Sequence, residues 1–249
     1  FIKNKYMVKK IISFLLSYSL KESIEVWFTN NFDKSYYIDN KILSNQLTRI
    51  IPGAGAVFSE NEPSFVYQSN PREFIMIARL LKEKGVEEYL KTALHYKYDK
   101  NIKFMLIGSY KKDKNYISKK LLDEAISSNV IIYKEYVDNI SPVIKDAACI
   151  ILPSYREGMS TILLEAVVLK KPIITTKVPG CIDIIPNESY GTLCEPKDSG
   201  SLISAIDRFL KLSKKDLERQ TNKTYEYVKK NYSRDKILKV YDSCLKYIE

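Results

Sequence analysis

An α/β architecture, with a parallel sheet wound on both faces by helices, is what three features of this chain predict. Apolar runs alternate with helical stretches of about ten residues from position 74 to 212, the pattern of a parallel sheet with crossover helices. Runs such as Cys149-Ile150-Ile151-Leu152-Pro153 do not alternate with polar residues, as expected for strands buried on both faces. That last run leads through a short glycine-containing turn into a helix start, the local form of a strand-turn-helix ligand loop.

The elements follow in order. The first 59 residues read as helix (3–20, with Ile11, Leu15 and Tyr18 on one face), strand (24–28), helix (33–41) and strand (48–51). That is half of an α/β unit, a remnant too small to build a core alone. Residues 60–71, from Asn61-Glu62-Pro63 to Asn70-Pro71, read as a linker. The main domain, 72–213, then reads strand 74–78, helix 86–96, strand 104–108, helix 115–127, strand 130–133, helix 140–147, strand 150–153, helix 160–169, strand 172–175, strand 191–194 and helix 199–212. The tail, 214–249, is charged, helical and amphipathic, with Tyr225, Val228, Ile237, Val240, Tyr241 and Leu245 as its apolar stripe.

Composition narrows the partners. The 249 residues suffice for one large domain or two small ones, and 45% of them are apolar, as in an ordinary globular protein. A net charge of +10 favours anionic partners such as nucleotides or phospholipid headgroups. The lysines at 111, 112, 114, 119 and 120 read first as a solvated face, and second as a patch for an anionic membrane surface. Nucleic acid is the weakest option and is not expected as a partner, because aromatic and basic residues do not interleave in a recognisable RNA-binding motif. Cys149, Cys181, Cys194 and Cys244 lack metal-ligand spacing and read as reduced, buried thiols. With His95 the sole histidine, a zinc site or a histidine triad is not expected. No secretory signal is visible, and the apolar run 11–16 is too short to span a bilayer.

In a doubly wound sheet, ligands bind beyond the C-terminal ends of the strands. There the chain offers Arg79 and Lys84, an arginine fork and a lysine point charge suited to a diphosphate. Gly108 ends the next strand and permits either close ligand approach or a plain turn. Around Tyr136-Val137, backbone groups at Val137 could read the edge of a base. The Pro153 strand leads into Glu157-Gly158-Met159-Ser160-Thr161, where first-turn amides and the Ser160 hydroxyl could hold phosphate oxygens. Glu157 and Glu165 are separated by eight helical steps of about 800° in total, so one elongated ligand could face both. As carboxylates beside a phosphate site they suit hydroxyls of a ribose or sugar. Glu165, set among Leu163, Leu164, Ala166 and Val167, needs a partner if buried. The bland alternative makes these surface charges and a solvated helix residue.

These residues resemble the retaining glycosyltransferases of family 4, with the GT-B fold, over about 49–212. The most specific part is Glu157-x7-Glu165 within Pro153-Ser154-Tyr155-Arg156-Glu157-Gly158. Ala78-Arg79-Leu80 with Lys84-Gly85, Leu106-Ile107-Gly108, Lys171-Pro172-Ile173-Ile174-Thr175-Thr176 and Val178-Pro179-Gly180-Cys181 support it. Ile51-Pro52-Gly53-Ala54-Gly55 looks like the end of the family's N-terminal domain, with Ala56-Val57 replacing its Val-Asp. The resemblance implies a Rossmann-like donor domain forming the C-terminal half of a GT-B fold, and final helices that pack back on the N-terminal domain. It implies transfer of a hexosyl or N-acetylhexosaminyl group, with retention, from a nucleotide sugar of the UDP type to a glycan or lipid-linked acceptor in bacterial polysaccharide assembly. Arg79 and Lys84 would neutralise the leaving diphosphate, Glu165 would bind the ribose, and Glu157 would hold donor-sugar hydroxyls. Gly158, Met159, Ser160 and Thr161 would line the donor site. Charge stabilisation of this kind works without a metal or other cofactor. A cytoplasmic protein, peripheral at the inner membrane face, is expected.

The family's acceptor half carries a glycine-rich loop and a histidine that this chain lacks. The chain opens on Phe1, so it is expected to be part of a longer protein that would not transfer sugar alone. Two other readings remain. One is a nucleotide-sugar-binding subunit or scaffold without catalysis. The other is an NAD-dependent oxidoreductase, which Gly53-Ala54-Gly55-Ala56-Val57-Phe58 serves poorly: the third fingerprint glycine is replaced by Phe58 and no helix is expected to follow.

Overall fold

The computed structural model describes residues 2–43, 46–68 and 72–245. Asn70 and Pro71 of the predicted linker, and the side chain of Leu245, lie outside the described residues. The chain forms two units, one of residues 55–236 and one of residues 1–54 with 237–249.

The larger unit is built on a six-stranded sheet. Its strands are β3 (Arg72–Ile77), β4 (Ile102–Ile107), β5 (Ile131–Lys134), β6 (Cys149–Leu152), β7 (Ile173–Thr176) and β8 (Thr192–Cys194). Their order is β5-β4-β3-β6-β7-β8, all neighbours parallel. The chain leaves β3 towards one edge and returns through β6 towards the other. The strand order thus reverses between β3 and β6, where a crevice opens at the strand ends. Every residue of β6 and β7 is buried, which explains their unbroken apolar or Thr-rich sequence. The crossover helices are α3 (Val86–His95), α4 (Lys119–Ser127), α5 (Ile140–Asp146), α6 (Thr161–Val168) and α7 (Ser199–Leu210). Phe74, Met76, Leu106, Ile150, Ile206 and Phe209 are among the core residues. Tyr89 on α3 ties the sheet from beneath, its Oη 2.8 Å from the carbonyls of both Phe74 and Met105.

Two expected elements differ. The helix predicted over 115–127 begins only at Lys119, because residues 115–117 pair backward instead. Lys82 N donates to Asn115 O at 2.9 Å, Ile117 N donates to Leu80 O at 3.0 Å, and Leu81 bridges Tyr116. Sequence periodicity cannot see such a long-range pairing. The tail, read as one block packing on the N-terminal part, divides. The helix α8 (Lys214–Tyr232) puts Leu217, Tyr225 and Val228 into the larger unit's core. Only from Ile237 does the last helix, α9 (Arg234–Leu245), belong to the smaller unit.

The smaller unit holds α1 (Ile2–Ser19), α2 (Asn31–Asp39) and a parallel pair, β1 (Glu25–Phe28) and β2 (Leu47–Ile50). Arg49 Nε donates to Glu25 Oε1 at 2.6 Å across the pair. Ile51, Ile237 and Cys244 form a small buried cluster, and Trp27 meets Tyr241 edge to face. Ile11, Leu15 and Tyr18 of α1 are exposed, since a two-stranded sheet offers no face wide enough to cover a five-turn helix. No helix among the described residues is long and apolar enough to cross a membrane. All four cysteines are free and buried.

Candidate functional site

A cavity of about 250 Å³ opens at the point where the strand order reverses. The end of β3 supplies Ile77 and Ala78, and the end of β6 supplies Leu152. Lys84 enters from the short 3-10 turn Lys82–Lys84 that precedes α3. Glu157, Met159 and Ser160 come from the β6–α6 loop, and Thr161 and Glu165 from α6. A strand-end crevice of this kind is where doubly wound sheets bind ligands.

The first turn of α6 faces this cavity. Ser160 is its N-cap, with the side-chain oxygen accepting from Leu163 N. The hydroxyl expected to help hold phosphate is therefore committed on its acceptor side to the helix. The amides of the first turn have no partner within the helix, and the positive end of the helix dipole points the same way.

Glu157 is the most constrained group in the cleft. Its Oε1 accepts from Lys84 Nζ and from Ser154 Oγ, each at 2.7 Å. The side chains of Lys84 and Glu157 retain 20% and 9% of their exposure. The eight-step helical relation to Glu165 does not hold, because α6 starts at Thr161 and Glu157 lies in the loop before it. The two carboxylates reach one cavity through the loop's path rather than through helix geometry. Glu165 is exposed by surface area at the cavity rim, and it makes no ion pair among the described residues. Neighbouring atoms still desolvate its carboxyl enough to push it above the usual carboxylate range.

The Glu157 loop is held from several sides by residues to which the sequence alone assigned no role. Tyr155 N donates to Glu83 O at 2.8 Å, and Tyr155 Oη lies 2.7 and 2.8 Å from the two oxygens of Glu88, which is 8% exposed. Thr176 Oγ1 donates to Ser154 O. Gly85 adopts a φ of +73°, and a Cβ there would stand 2.0 Å from Pro153 O. Gly180, at φ +79°, likewise leaves no room for a Cβ against Glu157 O, at 2.5 Å. Below it, burial and then the Glu157 charge push the Cys181 thiol up to about 12. These contacts join positions far apart in the chain, so no local pattern announces them.

Four predicted residues, Arg79, Gly108, Val137 and Gly158, are not among those lining this cavity. Arg79 lines a separate one on the far side of its own loop. Gly108 packs its Cα against Ala78 O and accepts from Tyr133 Oη at 3.0 Å, a close approach of backbone to backbone. Val137 packs against the core. Gly158 lies in the loop between Glu157 and Met159. Among the described residues no three His, Cys, Asp or Glu side chains are grouped to hold a metal ion. The segment Gly53–Phe58 leads into no helix; Ala56 N donates instead to Tyr232 O at 2.7 Å.

Fold and cleft together define an α/β protein with a strand-end cavity at the reversal of a parallel sheet. Its sequence over residues 57–227 matches the family described as glycosyl transferases group 1, and the chain belongs to that family. It is 25% identical over 254 residues to the N,N'-diacetylbacillosaminyl-diphospho-undecaprenol alpha-1,3-N-acetylgalactosaminyltransferase of Campylobacter jejuni, covering 96% of this chain and 66% of that protein. It is 27% identical over 135 residues to the capsular polysaccharide biosynthesis glycosyltransferase CapM of Staphylococcus aureus, covering 54% of this chain and 35% of that one. A glycosyltransferase crystal structure from Rickettsia africae superposes with a TM-score of 0.78 at 19% identity, over 93% of this chain and 66% of that one. The pneumococcal O-GlcNAc transferase GtfA, solved with UDP and GlcNAc, superposes with a TM-score of 0.74 at 16% identity, over 92% and 46%. The solved neighbours establish the GT-B fold. The chain thus spans no more than 66% of the length of these relatives.

Proposed function

We propose that this chain carries the donor-binding half of a glycosyltransferase that moves a sugar from a UDP-sugar, with retention and without a metal, to a glycan or lipid-linked acceptor. The observation that carries the reading is the convergence of Lys84, Glu157, the α6 N-terminus and Glu165 on one cavity at the sheet reversal. The names of the Campylobacter and Staphylococcus relatives support a place in bacterial glycan assembly, and the first supports an N-acetylhexosaminyl donor.

Each group has a role that follows from its position. The donor diphosphate lies against the α6 amides and Lys84, so the charge growing on the leaving group meets a fixed dipole and a cation. Glu165, at the rim with no ion-paired cation among the described residues, accepts from ribose hydroxyls. Glu157 accepts from hydroxyls of the transferred sugar through the oxygen not engaged by Lys84 and Ser154. Because Lys84 serves both Glu157 and the diphosphate, it couples the position of the sugar to that of the leaving group. Cations at the loop ends would also suit work beside an anionic membrane face.

Titration calorimetry of the chain with UDP tests the reading. Binding is expected, and Glu165→Ala should weaken it about tenfold, the worth of roughly 1.4 kcal/mol. Absence of UDP binding, or unchanged binding in Glu165→Ala, refutes it.

A further inference from the structure

Two segments meet at the wall of the donor cavity, and two side-chain ties join them. One segment runs from the 3-10 turn into α3 and carries Lys84 and Glu88. The other is the β6–α6 loop, which carries Tyr155 and Glu157. Lys84 meets Glu157 inside the cavity, whereas Glu88 meets Tyr155 outside its lining. We propose that Tyr155 and Glu88 are positioning residues, which keep the Glu157 carboxylate at the donor sugar when Lys84 turns to the diphosphate. The sugar and the diphosphate rest on the donor reading above; the second tie between the segments does not.

Three observations carry it. First, the Tyr155–Glu88 bond is strong and specific. Glu88 is nearly buried and makes no ion pair among the described residues, and both of its oxygens lie within hydrogen-bond distance of Tyr155 Oη. A carboxylate so placed needs a donor, and a hydroxyl donating to a carboxylate makes one of the stronger hydrogen bonds. Burial, and then Glu88 beside it, push the Tyr155 phenol up, so it stays a donor across the ordinary pH range. Glu88 also sits in the first turn of α3, where the helix dipole favours a negative charge. Second, the bond is made without any group that the donor needs. Neither residue lines the cavity, and Lys197 Nζ, from the β8–α7 loop, stands 5.2 Å from the centre of the Tyr155 ring as a further hold. Third, the tie at Lys84 does depend on the ligand. Among the described residues Lys84 is the one cation lining the cavity, so a diphosphate there draws on the same ammonium that pairs with Glu157. Shared with phosphate oxygens, that ammonium grips Glu157 less. Ser154 Oγ remains on Glu157 Oε1, and Tyr155 anchors the backbone that links Ser154 to Glu157.

The test uses the chain as it stands, titrated with UDP and with UDP-N-acetylgalactosamine, and has a second arm in chemical denaturation. Tyr155→Phe should weaken the nucleotide sugar about fivefold and UDP less than about twofold. A tie that only stabilised the fold would move both ligands alike or neither. Glu88→Gln keeps one acceptor for the phenol and should lose less than Tyr155→Phe. Glu157→Gln is the control that shows the sugar contact, and it should weaken the nucleotide sugar more than UDP. In denaturation, Tyr155→Phe should lower the midpoint further in a Lys84→Met background than in the parent, because the two ties hold the same pair of segments. Equal losses of UDP and nucleotide sugar in Tyr155→Phe would overturn the proposal. So would an unchanged nucleotide-sugar affinity in that variant while Glu157→Gln weakens it, or equal midpoint shifts in the two backgrounds. If UDP does not bind, or Glu157→Gln leaves the nucleotide sugar unaffected, the donor reading falls and the sugar role falls with it. The denaturation arm then still decides whether Tyr155 and Glu88 hold the two segments together.

Discussion

Glu157 and Glu165 line the same cavity and share a side-chain type, yet their surroundings are opposite. Glu157 is nearly buried, paired with Lys84 and Ser154, on a loop tied down through Tyr155, Thr176, Gly85 and Gly180. Glu165 stands at the rim of a regular helix with no ion pair among the described residues, its carboxyl raised by desolvation alone. The first belongs to the structure of the cleft as much as to its chemistry. The second is free to serve the ligand proposed for it: helix packing holds its backbone whether or not the carboxylate is there. Stability and binding should therefore respond separately at the two positions.

The largest effect is expected at the support of the Glu157 loop. Gly85→Ala places a Cβ against a backbone carbonyl at a left-handed φ, and should destabilise the larger unit by about 3 kcal/mol or more. Chemical denaturation would show it as a lowered midpoint. An unchanged midpoint would mean that the loop is not clamped as described.

Next comes Lys84→Met, which leaves the Glu157 carboxylate largely buried with only Ser154. Breaking a fully buried pair costs about 3–5 kcal/mol; with Lys84 partly exposed, about 2 kcal/mol is expected. Adding Glu157→Gln should recover at least half of the loss, because the stranded charge is gone. If the double variant is no more stable than the single one, the ion pair is not what holds the loop.

A smaller and purely functional effect is expected at the rim. The roughly tenfold loss of UDP affinity in Glu165→Ala should come with a thermal midpoint within error of the parent. A large fall in that midpoint would make Glu165 structural and erase the contrast with Glu157.

The smallest effect is in pH dependence. A carboxyl held higher in the folded than in the unfolded chain contributes its stability fully below the unfolded value, 4.5 here, and loses it as pH rises through the folded value. Relative to the parent, Glu165→Gln should thus gain stability between pH 4 and pH 7, by under about 0.5 kcal/mol, since water screens so exposed a group. The opposite slope would show that an unseen partner stabilises the ionised form.

Most strands and helices of the larger unit were legible, because each carries its own signal. β6 is an uninterrupted apolar run, and α6 follows Ser160, a good N-cap. Lys84, Glu157 and Glu165 were legible as a group, because all lie at strand ends or on the helix that follows. What failed was whatever depended on a distant segment. The start of α4 moved to Lys119 because residues 115–117 pair with 80–82. Arg79 was read into the donor cleft beside Lys84, whereas the loop between them turns its side chain to the other cavity. The pairing of Tyr155 with Glu88 went unnoticed because that contact crosses the chain.

By itself, then, the sequence determined the layered α/β class, the parallel sheet and the strand ends at which the cavity lies. Those follow from hydrophobic periodicity and capping, which act over a few residues. Only the tertiary structure decided that Glu157 is bound to Lys84 while Glu165 stands open, and that the loop bearing Arg79 separates two cavities. Side-chain partnership depends on which loops meet once the sheet has ordered its strands as β5-β4-β3-β6-β7-β8, and no short-range pattern encodes that meeting.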